Sequence, residues 1–261
     1  MKIWVLMENT AREGFAAEHG LSLYIEALGY RILFDMGQTG DFAENAQKLG
    51  IDLSRVDLAV VSHGHYDHGG GLRRFLECNT TAPVYLSRYA FEPHENATGK
   101  QIGLDSALAD HPRLRFVEDQ LEIAPGLMLF HCQPAELMLP VEPYGLTCGG
   151  EPETFRHEVY LQVREKEWSI LFSGCAHKGV VNLARRFRPD VLVGGFHFKP
   201  LSPEDPALTV AAEQLLQQPA VYYTGHCTGQ EQFAAMKKVM GSRLHSFCSG
   251  SILEITTEET I

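Results

Sequence analysis

The chain has 261 residues, 44% hydrophobic and 21% charged, a globular composition that suits one domain spanning 1–261 with a large core. Its formal net charge is −11, with 33 acidic residues scattered among 22 basic ones and no long basic run, which argues against general binding to a nucleic-acid backbone. No run approaches the roughly 20 apolar residues of a membrane helix, the apolar stretch before Glu8 is too short for a signal peptide, and the six cysteines form no Cys-x-x-Cys pair, so a soluble cytoplasmic protein with reduced thiols, off the membrane, is expected.

In chain order, "KIWVLM", "LSLYIEA" and "RILFDMG" read as strands, and "DFAENAQKLG" as a helix that Gly50 ends. "VDLAVVSHG" reads as a buried strand with His63 at its tip, followed by the short helix "GLRRFLE" and the strand "APVYLS". The pattern turns irregular over 88–108 and again over 134–156, where four prolines and three glycines fall; long loops in compact domains often serve as lids or substrate walls. Beyond them "EVYLQVR", "WSILFSGC", "DVLVGGFHF", "AVYYTGHC" and "HSFCSGSILEI" read as strands, alternating with the helices "VVNLARRF", "PALTVAAEQLLQQ" and "EQFAAMKKVMG". The alternation predicts an α/β fold, and Asp35, His63, Cys175 and His226 fall just past strand ends, where such folds carry their chemistry.

"SHGHYDHGGG" stands out. His63, His65, Asp67 and His68 follow an apolar strand directly, so they lie on a turn and can fan around a small volume. Imidazole nitrogen and carboxylate oxygen are ligands for zinc, iron or manganese. Gly69, Gly70 and Gly71 permit close backbone approach and positive φ there. Four clustered residues do not complete two metal shells. Other strand tips offer Cys175 and His177 in "LFSGCAHKG", His226 and Cys227 in "YYTGHCTG", and His197 in "GGFHF".

His-x-His-x-Asp-His after an apolar strand, with "LFDMG" upstream, resembles the signature of the metallo-β-lactamase superfamily, whose fold is a four-layer αβ/βα sandwich. "MENTA", "SGCAHKGVVN", "GGFHF" and "TGHCTG" further resemble the branch that includes the methanopterin-pathway dihydropteroate synthase and many uncharacterised metal-dependent hydrolases. The resemblance implies two divalent metal ions, zinc ahead of iron or manganese. His63 and His65 would bind the first and Asp67, His68 and His226 the second, with Asp35 orienting the histidine loop by hydrogen bonds. Where the superfamily usually has a bridging aspartate this chain has Cys175, a thiolate ligand that bridges differently. His177 is preferred to His157 as the first metal's third histidine, because "FRHEVYL" lacks the usual glycine-rich setting.

Two such metals lower the pKa of a bridging water from 15.7 to about 7 and clamp attacking and leaving oxygens, which suits hydrolysis of a phosphoester, lactone or thioester in a small, anionic substrate. Asp67 would move the proton, His197 is the next candidate acid, and His197 and Lys178 are candidate substrate contacts. The resemblance also allows a transferase that joins a pterin diphosphate to an aromatic amine. A non-catalytic metal-binding redox sensor using Cys175, Cys227 and Cys248 is the third reading. No Gly-x-Ser-x-Gly elbow, P-loop or Gly-x-Gly-x-x-Gly after a strand occurs.

Overall fold

The computed structural model of the chain describes residues 1–166 and 168–256. Its first sheet begins with β1 (Lys2–Met7), β2 (Ser22–Ala27) and β3 (Tyr30–Phe34), with β2 antiparallel to both its neighbours. Ala27 pairs with Tyr30 across a two-residue turn in which Leu28 and Gly29 both have positive φ, the conformation of the hairpin turn whose twist matches its strands. β4 (Leu58–Val60) and β5 (Val84–Ser87) then add in parallel. β6 (His94–Glu95) leaves this sheet, β7 (Leu114–Val117) rejoins it, and the chain crosses to a second sheet as β8 (Gln120–Ala124) and β9 (Leu127–Phe130).

β10 (Thr147–Cys148) pairs with β6 on one side and with β11 (Glu151–Pro152) on the other, so the two irregular stretches join in one small sheet. The second large sheet continues with β12 (Tyr160–Glu165), β13 (Trp168–Phe172), β14 (Val191–Val193), β15 (Val221–Thr224) and β16 (Leu244–Ser246); β17 (Ile252–Glu254) returns to the first, beside β1. Each large sheet has seven strands, ordered β17-β1-β2-β3-β4-β5-β7 and β16-β15-β14-β13-β12-β9-β8.

Strand alternation decides what each face buries. Ile32 and Phe34 point between the sheets, where they meet Ile170 and Phe172, and the Phe34 and Phe172 rings lie 5.9 Å apart. Leu33 points the other way, against Phe42 and Ala46 of α1 (Asp41–Lys48) and Phe75. A four-residue helix, α2 (Tyr66–Gly69), follows the histidine turn, and Phe75 belongs to α3 (Leu72–Cys78). In the second sheet Leu171, Leu192 and Tyr222 pack against α4 (Val180–Phe187), α5 (Pro206–Leu216) and α6 (Gln230–Met240). β4 and β14 are apolar throughout because both their faces are covered. The result is the four-layer αβ/βα sandwich. Among the described residues no helix is long and apolar enough to cross a membrane.

Two readings of the sequence are corrected here. "HSFCSGSILEI" is not one strand: it closes the second sheet as β16, turns at 247–251 and crosses to the first as β17, since each half finds its partner in a different sheet. The glycines after the histidine turn serve close approach rather than positive φ. A methyl group on Gly70 would collide with the carbonyls of Gln38 and Tyr66, and one on Gly71 with that of Met36, yet neither residue has positive φ.

Candidate metal centre

The parallel strands of both sheets end at one edge, and the candidate residues follow those ends. Asp35, the residue after β3, is fully buried with φ +58. Its Oδ1 accepts from the Ser62 amide (2.7 Å), and its Oδ2 pairs with the Ser62 hydroxyl and with His68 Nδ1, both at 2.7 Å. A carboxylate on Nδ1 fixes the proton there and leaves Nε2 as the lone-pair nitrogen. That Nε2 lies 3.1 Å from Cys175 Sγ and 3.1 Å from His226 Nε2. His226 is oriented in the same way, with Nδ1 on Asn9 Oδ1 (2.9 Å) and its amide on Glu8 Oε1 (2.6 Å). Asp67 Oδ2 completes this group, 3.2 Å from His226 Nε2 and 3.3 Å from His19 Nε2.

The neighbouring group forms around His63, whose Nδ1 meets Ser62 Oγ at 2.8 Å and whose Nε2 faces His177 Nε2 at 3.3 Å. His65 lies beside both, with ring centres 4.6 Å from His63 and 5.0 Å from His177. His177 stacks on Phe155 at 4.4 Å, and its amide donates to Glu158 Oε1 (2.7 Å). Donor atoms of His63, Cys175 and His177 lie within 4.8 Å of one another, as do those of His68, Cys175 and His226, so Cys175 stands between the two groups.

Bare ring nitrogens facing each other in a buried site are costly unless a proton or cation lies between them. Burial pushes the His63 and His177 imidazoles far below their ordinary value and that of His65 down to about 3, which keeps them in the neutral form that donates a lone pair. Burial works against the His68 cation too, but Asp35 and Asp67 outweigh it and raise His68 to about 9. Burial likewise opposes the Asp67 carboxylate, and the charge of His68 with the hydrogen bond from His226 holds it below the usual carboxylate range. The neutral imidazoles of His63, His65 and His177, the Asp67 carboxylate, the Cys175 thiol and a His68 whose extra proton stands where a cation would replace it, with the outer nitrogens of His63, His68 and His226 tied, fit divalent metal ions. His63, His65 and His177 would hold one, and Asp67, His68 and His226 another, with Cys175 between them.

His157 lies nearby with a different role. The Gly64 amide donates to its Nδ1 (2.8 Å), so Nε2 carries the hydrogen and offers no lone pair; it faces Glu153 Oε2 at 3.6 Å. His197, with φ +56, is brought to the site: its ring centre is 4.2 Å from that of His177, and its Nδ1 is buried without a hydrogen-bond partner. A cavity of about 320 Å³ opens over His65, Asp67, Cys175, His177 and His197, walled in part by Asn96 and Leu146 of the two loops and by exposed Lys199.

Lys178 is not brought there. It is almost fully buried, its Nζ donates to the Cys132 carbonyl (2.8 Å), and it is held near Glu158, which accepts its amide. It lines a separate cavity with His131 and Arg156, and its ammonium is taken up by the Cys132 carbonyl instead of making the substrate contact expected of it. Sequence reasoning missed Glu8, Asn9, His19, Glu158 and Lys199. Glu8 and Asn9 stand in the "MENTA" stretch, the one local signal that could have pointed to them.

Asp35→Asn keeps the shape but weakens the grip on His68. It is expected to lower metal affinity roughly 10–100-fold, read by competition with a chromophoric chelator; unchanged affinity in folded protein would remove Asp35 from this role.

The metallo-beta-lactamase superfamily model matches residues 17–134, which carry Asp35 and the turn from His63 to His68. The uncharacterized protein MJ0448 of Methanocaldococcus jannaschii is 28% identical, with 97% of this chain and 98% of that protein covered. The 7,8-dihydropterin-6-methyl-4-(beta-D-ribofuranosyl)-aminobenzene-5'-phosphate synthase of the same organism is 27% identical over 94% of this chain and 95% of its own. Among solved structures, Tm1679, described as a metal-dependent hydrolase of the beta-lactamase superfamily, superposes with a TM-score of 0.82 at 27% identity, covering 98% of this chain and 99% of that one. With its four-layer sandwich, its histidine turn and these likenesses along nearly its whole length, the chain has the metallo-beta-lactamase fold and is similar to proteins of the metallo-beta-lactamase superfamily.

Proposed function

We propose that this protein is a metal-dependent hydrolase of a small molecule with a negatively charged group, cleaving a phosphoester, lactone or thioester bond. The observation that carries the reading is the convergence of His63, His68, His177 and His226 on Cys175 beneath an open cavity. The metal-dependent hydrolase description of Tm1679 supports it. Two divalent ions, zinc foremost, supply Lewis-acid polarisation of the scissile bond and a water acidic enough to attack at neutral pH.

The chain's own groups do the rest. Asp67 takes the proton of the attacking water. Its Oδ2 sits 3.3 Å from Nε2 of His19, which is outside the donor set, so a proton gained there has an onward partner. As the bond to the leaving oxygen or sulfur breaks, His197 returns a proton to that atom. Lys199 at the rim meets the negative charge, and the small sheet and its loops hold bulk water back on one side. With all six cysteines free, a reducing cytoplasmic setting and a substrate other than nucleic acid are parts of the same reading.

Similarity to the pterin synthase favours a second reading, transfer of a pterin group from its diphosphate to an aromatic amine at the same site. Both are tested by assaying zinc-loaded and metal-stripped protein on phosphoesters, lactones, thioesters and a pterin diphosphate with an aminobenzene. The expected result is release of free acid or phosphate that chelation abolishes and zinc restores. A carbon–nitrogen product instead would establish the transferase, and equal turnover without metal would overturn both. Oxidant-sensitive metal loss without any turnover would favour the sensor.

A further inference from the structure

A second cavity of about 360 Å³ adjoins the first. Leu139 and Val141 of the 134–156 loop, Val180 of α4, Phe196 beyond β14 and Val210 of α5 give it mostly apolar walls. His177 and His197 line both cavities. The roof stands without a ligand, because buried Asn182 staples it to α4: its Oδ1 accepts from the amides of Met138 (3.1 Å) and Leu139 (2.9 Å), and its Nδ2 donates to the Leu139 carbonyl (3.0 Å). An ion pair between Arg186 and Glu136 at 2.6 Å fastens the same segment.

A standing apolar concavity with Val210 49% exposed at its wall is surface that water covers poorly and an apolar ligand covers well. Its position decides which ligand. The partition toward the metal cavity consists of two imidazoles whose Nδ1 atoms are buried and unpartnered, so polar chemistry sits at the boundary and apolar packing beyond it. A molecule whose scissile group lies at the first cavity reaches the second with whatever hangs from that group.

We propose that the substrate carries an apolar substituent, alkyl or aryl, that fills this chamber while its scissile group lies over the metal cavity. The proposal rests on the hydrolase reading for the identity of the occupant, and the chamber's preference is measurable without turnover. The negatively charged part then falls on the opposite side, toward Lys199, so the substrate class is an amphiphilic ester, thioester or phosphoester.

The test is calorimetric titration of butanoate and octanoate into metal-free and zinc-loaded protein, beside kcat/KM for thioesters of the same chain lengths. Burial of each methylene is expected to tighten binding about fourfold, roughly 200-fold between the two acids if all four extra methylenes are covered. Val210→Trp, at a half-exposed helix position, is expected to bring the ratio toward one by filling the chamber. Equal binding of both acids to the wild-type protein overturns the proposal, whatever the variant does. Metal-dependent thioester turnover that is flat with chain length would leave the hydrolase standing and remove the chamber as its subsite. Chain-length-dependent binding with no turnover of any ester would uphold an apolar-ligand chamber and sink the hydrolase.

Discussion

His226→Ala is expected to weaken metal binding by at least about 100-fold, more than loss of an outer hydrogen-bond partner costs, and to abolish metal-dependent turnover. The imidazole supplies one of the facing nitrogens and is the group nearest Asp67 Oδ2 and His68 Nε2, so both are left short of a partner. The backbone should stay in place, because Glu8 accepts from the amide of residue 226, which alanine retains. Equilibrium dialysis at limiting zinc, with circular dichroism as the folding check, measures the effect. Wild-type metal content and turnover in the variant would take His226 out of the centre.

Phe172→Ala should be the most destabilising single change in the core. Its ring is fully buried between the sheets against Phe34, and the position closes β13 immediately before the turn that carries Cys175. Loss of a buried phenylalanine ring costs about 3–5 kcal/mol through lost transfer energy and the cavity left behind, which urea unfolding would register as a lower midpoint with an unchanged slope. A loss below about 1 kcal/mol, the ordinary scale of a tolerated mutation, would mean that the inter-sheet contact carries little of the stability.

The pattern of legibility follows from how far apart cooperating residues stand in the chain. The turn from His63 to His68 is contiguous, so its crowding was visible at once. Cys175, His177, His197 and His226 were legible because each lies just past an apolar strand and near a glycine, and parallel strands of two sheets deliver such positions to a common edge. Lys178 shared that local setting but turns inward to Glu158 and Cys132, a choice that only tertiary packing makes. Asn9 was marked by nothing beyond the "MENTA" stretch, since its contact with His226 spans 217 positions and an outer hydrogen bond leaves no periodic trace.

The strands β7, β8 and β9 escaped as well. β7 exposes Phe116 and β8 is half-exposed at a sheet edge, so neither shows the clean alternation of a half-buried strand. The break inside "HSFCSGSILEI" escaped for the opposite reason. Both halves have strand-like composition, and nothing local says that they belong to different sheets.

That division between sheets gives the donor groups a thermodynamic meaning. His63, His65, Asp67 and His68 follow the first sheet, while Cys175, His177 and His226 follow the second, and the chain passes between the two at 117–120. Neither half offers the whole set, so an ion coordinated by both favours only the docked pair of halves. Free metal at 100 times its dissociation constant would then add about 2.7 kcal/mol per site to the cohesion of the halves, and the metal becomes a rivet as much as a reagent.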